Sequence, residues 1–229
     1  MKDNLGDRIK SQYENRTRYF LPRRTYTIIR LDQRAGRSYT KELEKPFDAR
    51  YSSCIDYAAN NLMKEAQGAR FGYCQSDEIS ILLTDFDSIN TQAWFDGNIQ
   101  KICSVSSSIV TAGFNYAAFR FGLNIFANFD CRVYSIPDRV EVMNNFIWRN
   151  KDCIRNSISM AAQSKFSHKE LQFKSLEDQK EMLINNNFDW DNIFEDYKFG
   201  RFITKETTSS AWDFAKDQNR LLDFIPNYT

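Results

Sequence analysis

The feature that most constrains this chain is a change of hydrophobic period, repeated in a fixed order, within its first 135 residues. Tyr26-Thr27-Ile28-Ile29-Arg30-Leu31 is a β-branched apolar run that reads as a buried strand ending at Asp32. From Phe47 the spacing becomes three to four. Phe47, Tyr51, Cys54, Ala58, Leu62 and Ala66 share one helical face, and Gly68 follows just past its end. Arg70-Phe71-Gly72-Tyr73-Cys74 and Ile79-Ser80-Ile81-Leu82-Leu83 read as two strands, and Gln75-Ser76-Asp77-Glu78 between them is short enough to be a hairpin turn. Residues 91–112 read as a second helix with Thr91 as N-cap and Trp94, Asn98, Ile102, Val105, Ile109 and Ala112 on one stripe. Phe129–Tyr134 reads as a further strand, ended by Pro137. Strand, helix, strand, strand, helix, strand is the order of the split βαβ, or ferredoxin-like, arrangement. This predicts an α+β fold: an antiparallel sheet with helices on one face.

The rest of the chain is expected to be mostly helical. Val140, Met143, Ile147, Ile154, Ile158 and Ala161 predict a helix over about 139–163, and Ser175-Leu176-Glu177-Asp178 has the form of a capping box. Arg201–Thr204 is strand-like. Leu5, Ile9 and Tyr13 place a short helical face at the start of the chain. Two regions are therefore expected, residues 1–135 with the sheet and an N-terminal helix, and residues 136–229 as a helical extension.

Composition narrows the function classes. With 31 Lys plus Arg against 30 Asp plus Glu, the net charge is +1, so a nucleic-acid site has to be a local patch. No run of 18 apolar residues occurs and the first residues are charged, so neither a membrane span nor a secretory signal is expected. Five cysteines, with no Cys-x-x-Cys pair, suit reduced thiols in the cytoplasm better than a disulfide framework or a zinc site.

The acidic residues sit where the chemistry of such a sheet would be. Asp32 ends the first strand, and Asp77 and Glu78 lie in the hairpin of the two strands expected beside it. Carboxylates that converge repel one another unless a cation neutralises them, and Mg2+ takes hard oxygen ligands while leaving room for a triphosphate. Two such ions could serve phosphoryl transfer. On spacing alone, solvated turn carboxylates are the commoner reading of such residues, since Asp is frequent in turns and at strand ends. The stretch Gln33-Arg34-Ala35-Gly36-Arg37 offers backbone N–H groups and two guanidinium groups to phosphate, without being a Walker loop or a dinucleotide fingerprint.

Five ordered blocks then carry a resemblance. Ile29-Arg30-Leu31-Asp32-Gln33-Arg34-Ala35, Glu44-Lys45-Pro46-Phe47-Asp48-Ala49-Arg50, Gln75-Ser76-Asp77-Glu78-Ile79-Ser80, Phe129-Asp130-Cys131-Arg132-Val133 and Trp148-Arg149-Asn150-Lys151-Asp152-Cys153-Ile154-Arg155-Asn156-Ser157 resemble the tRNA-histidine guanylyltransferase superfamily, as does Phe166-Ser167-His168-Lys169-Glu170-Leu171. The resemblance implies a polymerase-type palm that adds nucleotides in the 3′-to-5′ direction to a tRNA 5′ end, using GTP, ATP and other nucleoside triphosphates. It implies two Mg2+ ions held by Asp32, Asp77 and the backbone carbonyl of Gln33, with Glu78 as the neighbouring catalytic acid. It implies nucleotide contacts from Gln33, Arg34, Ala35, Gly36, Arg37, Lys45, Asp48, Ser76 and Lys101. It implies tRNA contacts from Arg132, Arg149, Lys151, Arg155 and Asn156, and a homotetramer.

This chain departs from the family pattern in four places. Gln33 stands where the family usually has Gly, Gly36-Arg37 replaces an aromatic-His pair, Trp148-Arg149-Asn150 replaces Trp-Arg-Gln, and Ile154-Arg155-Asn156-Ser157 replaces His-Ile-Asn-Asn. The Arg-Asn-Ser form resembles the guanylyltransferase-like branch associated with template-dependent repair of truncated tRNA 5′ ends. The alternative is a palm that binds RNA or nucleotide without polymerising, or that makes a nucleotide signal. Of two readings of Trp148, stacking on a base or packing in the core, core packing is expected.

Overall fold

A computed structural model describes residues 4–36, 41 and 43–228. The first strand, β1 (Tyr26–Gln33), lies between β3 (Glu78–Leu83) and β4 (Phe129–Ile136), and β2 (Ala69–Gln75) pairs with β3. The order β4-β1-β3-β2 with antiparallel pairing is the expected ferredoxin-like sheet. The C-terminal region adds to it. Two short strands, β5 (Arg201–Ile203) and β6 (Thr208–Ser210), continue the sheet past β2. The segment after residue 135 thus returns to complete the palm.

Alternation along β1 explains why that strand is apolar throughout. Ile29 and Leu31 face one core and Tyr26 and Ile28 face another, so both faces must be covered. The helices α2 (Ala49–Glu65) and α3 (Ile99–Arg120) cover the first face, as expected for the palm. The second face is covered by α4 (Arg139–Gln163), which brings Val142, Met143 and Phe146 against Phe71, Leu82 and Phe202. A short α1 (Leu5–Ile9) precedes the sheet. After α4 come α5 (His168–Leu171), α6 (Leu176–Asn185), α7 (Glu195–Phe199) and α8 (Gln218–Asp223). A third cluster, Ile158, Ala161, Leu183 and Trp190, packs α6 against the far half of α4.

The ends of the helices follow from capping chemistry. Asp48 and Asp138 accept backbone N–H groups at the starts of α2 and α4, and Ser175 with Asp178 forms the expected capping box of α6. One boundary differs from the sequence reading. The second palm helix begins at Ile99, capped by Asn98, and not at Thr91. Residues Trp94–Gly97 form a tight turn instead, in which Phe95 and Asp96 take left-handed backbone angles and Trp94 is buried. Although α3 has the length and apolar character of a membrane-crossing segment, it packs along α2 and β4 here.

Asn150 ties α4 to the C-terminal segment. Its side-chain amide, fully buried, donates to the carbonyls of Phe199 (2.9 Å) and Trp212 (3.1 Å) and accepts from the N–H of Phe214 (3.0 Å). Three backbone groups are thereby engaged, and the Phe199 carbonyl also accepts the Tyr73 hydroxyl (2.8 Å), which joins β2 to the same knot.

Candidate active site

Register brings the acids together. In the β1/β3 ladder Asp32 lies opposite Glu78, and in the β1/β4 ladder it lies opposite Asp130. Residues 30 and 32 of β1, 78 and 80 of β3 and 130 and 132 of β4 share the face covered by α4, by the alternation that puts Tyr26, Ile28 and Leu82 there. Asp77 caps the hairpin beside this row, and its backbone carbonyl accepts the N–H of Gln33 (3.2 Å).

The two candidate metal-binding carboxylates repel each other. Burial, then the charge of Asp32, push the Asp77 carboxyl up to about 6, and hydrogen bonding from Ser76 offsets part of that. Burial and the charge of Asp130 raise Asp32 as well, against the pull of Arg132 and Arg30. Glu78 is different. Arg149 Nε donates to its Oε1 at 2.8 Å, and Arg30 Nε stands 3.6 Å from its Oε2. Burial raises its carboxyl, and the two arginines oppose the shift. Among the described residues, no three His, Cys, Asp or Glu side chains converge as a ready-made metal cluster. The donor set that remains is Asp32 and Asp77, two hard, half-buried carboxylates whose mutual repulsion persists beside Arg132 and Arg30, a chemistry that suits Mg2+.

The turn after β1 is shaped around Asp77. A Cβ on Gly36 would come within 2.4 Å of Asp77 Oδ2, so the backbone approaches the carboxylate more closely than any side-chain-bearing residue permits. Gly36→Ala is expected to displace the Asp77 carboxylate, lowering nucleotide addition at least about tenfold with little change in melting temperature; a steady-state assay beside a thermal melt checks both. Gln33, in the position where a glycine was expected, does not obstruct the cleft. Its side chain lies on the α2 face, where its Oε1 accepts the Tyr51 hydroxyl, and the residue is buried. Arg34 and Ala35 are exposed in this turn, Ala35 with φ 55°. Ser76 is exposed with φ 46°, and Lys45 is exposed ahead of α2. Arg37 lies outside the described residues.

Three sequence-assigned contacts need correction. Asp48, expected to contact the nucleotide, has both its oxygens engaged: by the backbone N–H groups of Arg50 and Glu44 and by the Arg50 guanidinium (2.7 and 3.1 Å). Arg50 accordingly holds the Asp48 carboxyl below its ordinary value. Lys101 was placed near phosphate on a helix thought to start at 91. It lies in the first turn of α3, over the Phe95 ring (4.8 Å). Its neighbour Ile102 lines a small cavity with Thr27 and Leu83. That is the far end of the sheet, five residues or roughly 17 Å from Asp32 and Glu78. Arg149 was read as a tRNA contact, yet its side chain is only 7% exposed, held between Glu78 and Asp152 (2.7 Å).

The remaining basic residues are accessible. Arg132 and Arg155 are exposed beside Asp130 and Asp152, and Lys151 is exposed on α4. Asn156 is half-buried, with its Nδ2 3.4 Å from Asp152. Trp148, expected in the core, is 54% exposed. Sequence reasoning missed Asp130, Arg30 and Tyr51 as members of this site. Asp130 and Arg30 lay inside matched blocks, but only the β1/β4 register sets Asp130 opposite Asp32, and only the covering of that face by α4 turns Arg30 toward Glu78.

Known proteins place this geometry in a family. The Thg1 profile, described as tRNAHis guanylyltransferase, matches residues 6–137. A bacterial tRNA(His) guanylyltransferase (Thg1)-like protein, solved in complex with ATP, is 38% identical with a TM-score of 0.92, covering 97% of this chain and 99% of its own. A bacterial Thg1-like protein in complex with GTP is 35% identical with a TM-score of 0.82, covering the same shares. A tRNA(His) guanylyltransferase of Debaryomyces hansenii is 26% identical over 240 residues, spanning 93% of this chain and 88% of its own length. The antiparallel palm, the acids at the end of β1 and in the β2–β3 hairpin, and these likenesses together assign the chain to the Thg1 tRNAHis guanylyltransferase family, as a guanylyltransferase-like enzyme.

Proposed function

We propose that this chain is a Mg2+-dependent 3′-to-5′ nucleotidyltransferase that binds ATP and GTP and adds nucleotides to the 5′ end of tRNA, repairing truncated ends against a template. The observation that carries this reading is the pair of mutually repelling carboxylates, Asp32 and Asp77, set against the close approach of Gly36. Asp32, Asp77 and the Gln33 carbonyl would hold the metal, which when bound supplies charge stabilisation to phosphoryl transfer. Asp130 and Glu78 stand beside them, and Glu78 is kept in place by Arg149 and Arg30. Ser76 and the turn Gln33–Gly36, which lie against Asp77, would contact the triphosphate. On a 5′-triphosphorylated tRNA, the 3′-hydroxyl of the incoming nucleotide attacks the α-phosphorus, a phosphodiester forms and pyrophosphate leaves.

Arg132, Lys151 and Arg155 form the exposed basic set that supports tRNA binding by phosphate contact. A homotetramer belongs to the same proposal, supported by the apolar surface that Tyr116, Phe119 and Phe126 leave exposed at the end of α3. So does a cytoplasmic location, with which five unpaired cysteines are compatible. The stowed side chain of Gln33 weighs against a palm that has lost its chemistry.

The test is an addition assay with labelled nucleotides on a tRNA lacking its first nucleotide, comparing 5′-monophosphate and 5′-triphosphate ends. Mg2+-dependent extension of the triphosphate end is expected. No extension of either end would overturn the reading.

A further inference from the structure

We infer that Trp148, backed by Arg149 and Arg30 and flanked by Arg132, is a stacking platform for a nucleobase beside the catalytic carboxylates. The inference rests on the nucleotidyltransferase reading above and adds a binding residue to it. Trp94 and Trp190 are buried, and Trp212 packs against Phe202 and Phe214. Trp148 leaves more than half of its surface in water, although its position on α4 borders the core.

Its surroundings are built, not incidental. The guanidinium carbon of Arg149 stands 4.3 Å from the centre of the Trp148 ring and that of Arg30 stands 5.7 Å from it. Both arginines are drawn to the same buried acid, Glu78. The cations therefore do not wander, and they hold the indole in one place by cation–π attraction. A ring held in this way with open surface is a low-entropy partner for another flat π system, and every nucleobase has one.

Charge adds the second half of the recognition. Arg132 lies directly opposite Arg30 in the β1/β4 ladder, and its side chain is 55% exposed. Glu78 lies near Arg30 and Asp130 stands 3.7 Å from Arg132, whose exposed guanidinium remains open to a further anion from solvent. A base stacked on Trp148 would bring its phosphate toward Arg132, on the same sheet face as Asp32. The chemistry recognised is a nucleobase carrying phosphate, supplied either by the RNA strand or by a free nucleotide.

The experiment titrates wild-type protein, Trp148→Phe and Trp148→Ala with a short 5′-triphosphorylated single-stranded RNA in one arm and with GTP or ATP alone in the other. Tryptophan emission and affinity are read, and circular dichroism confirms the fold. Expected results are quenching in the wild type that Trp148→Phe lacks, a Kd raised about 5- to 150-fold in Trp148→Ala, and near-retention in Trp148→Phe. Quenching by RNA alone assigns the platform to the RNA strand; quenching by GTP or ATP alone assigns it to the nucleotide. Unchanged affinity and unchanged quenching across the three proteins would overturn the inference, and would leave the catalytic reading intact if Asp77→Asn still silences addition.

Discussion

Asp77→Asn is expected to abolish nucleotide addition and, at pH 8, to raise the melting temperature of the metal-free protein. The loss follows from removing a carboxylate next to the reacting phosphates. If that contributes about 4 kcal/mol to transition-state stabilisation, the rate falls about 1,000-fold. The gain follows from the raised Asp77 carboxyl. In the folded chain it keeps its proton to about pH 6, whereas its ordinary value is 3.8. Below the lower value both states are protonated and nothing is lost. As pH rises through the window the unfolded chain alone ionises readily, so the native state loses stability, and above about pH 6 the whole cost, about 2–3 kcal/mol, is present. Asparagine does not ionise and escapes it. Thermal melts at pH 4 and pH 8 should therefore show a gain of about 1 °C for the variant at the first, just above the ordinary value, and about 5 °C at the second. Adding Mg2+ at pH 8 should raise the melting temperature of the wild type and leave that of Asp77→Asn nearly unmoved. A variant that melts lower than wild type at pH 8, or that still adds nucleotides, would contradict the assignment.

Arg149→Met is expected to destabilise the fold by about 3–5 kcal/mol, because it leaves Glu78 buried with its principal partner gone. Urea unfolding measures this directly. A residue that only touched tRNA phosphate would behave otherwise: stability would be unchanged, and the salt dependence of RNA binding would weaken by about one ion. Lys151→Ala and Arg155→Ala are expected to show that second pattern. Combining Arg149→Met with Glu78→Met should restore much of the stability, since a well-packed apolar pair is often no worse than a buried ion pair. It should not restore activity if Glu78 is needed as an acid.

The palm was largely legible in the sequence because its elements carry strong periods. The run Tyr26–Leu31, the Phe47–Ala66 stripe and the Ser175–Asp178 box each became the expected element, and neighbouring β1 and β3 followed from topology. The start of α3 was not legible. Trp94 and Asn98 fall at helical spacing, yet Phe95 and Asp96 adopt left-handed angles that no period reveals. Within the site, residue types and their matched blocks pointed to Asp32 and Asp77, but not to which neighbours would neutralise which. Arg149 looks like any basic residue on a helix until the crossing of α4 over the sheet sets it against Glu78. Asp48 looks like a free acceptor until Arg50 folds back on it. Trp148 follows the apolar stripe of α4 closely enough to suggest burial, and it falls just outside the strip that the sheet covers.

The return of β5 and β6 to the edge of β2 has a consequence for how the protein matures on the ribosome. Synthesis runs from the N-terminus, so β2 is made long before Arg201–Ile203 can pair with it. During that interval a nascent palm presents an open strand edge and the apolar face of Phe71 and Tyr73 to its surroundings. Such edges invite pairing with other chains. The nascent chain should therefore depend on chaperone shielding until Arg201–Ser210 emerge, and the hairpin end of β2 gains its edge partner only then.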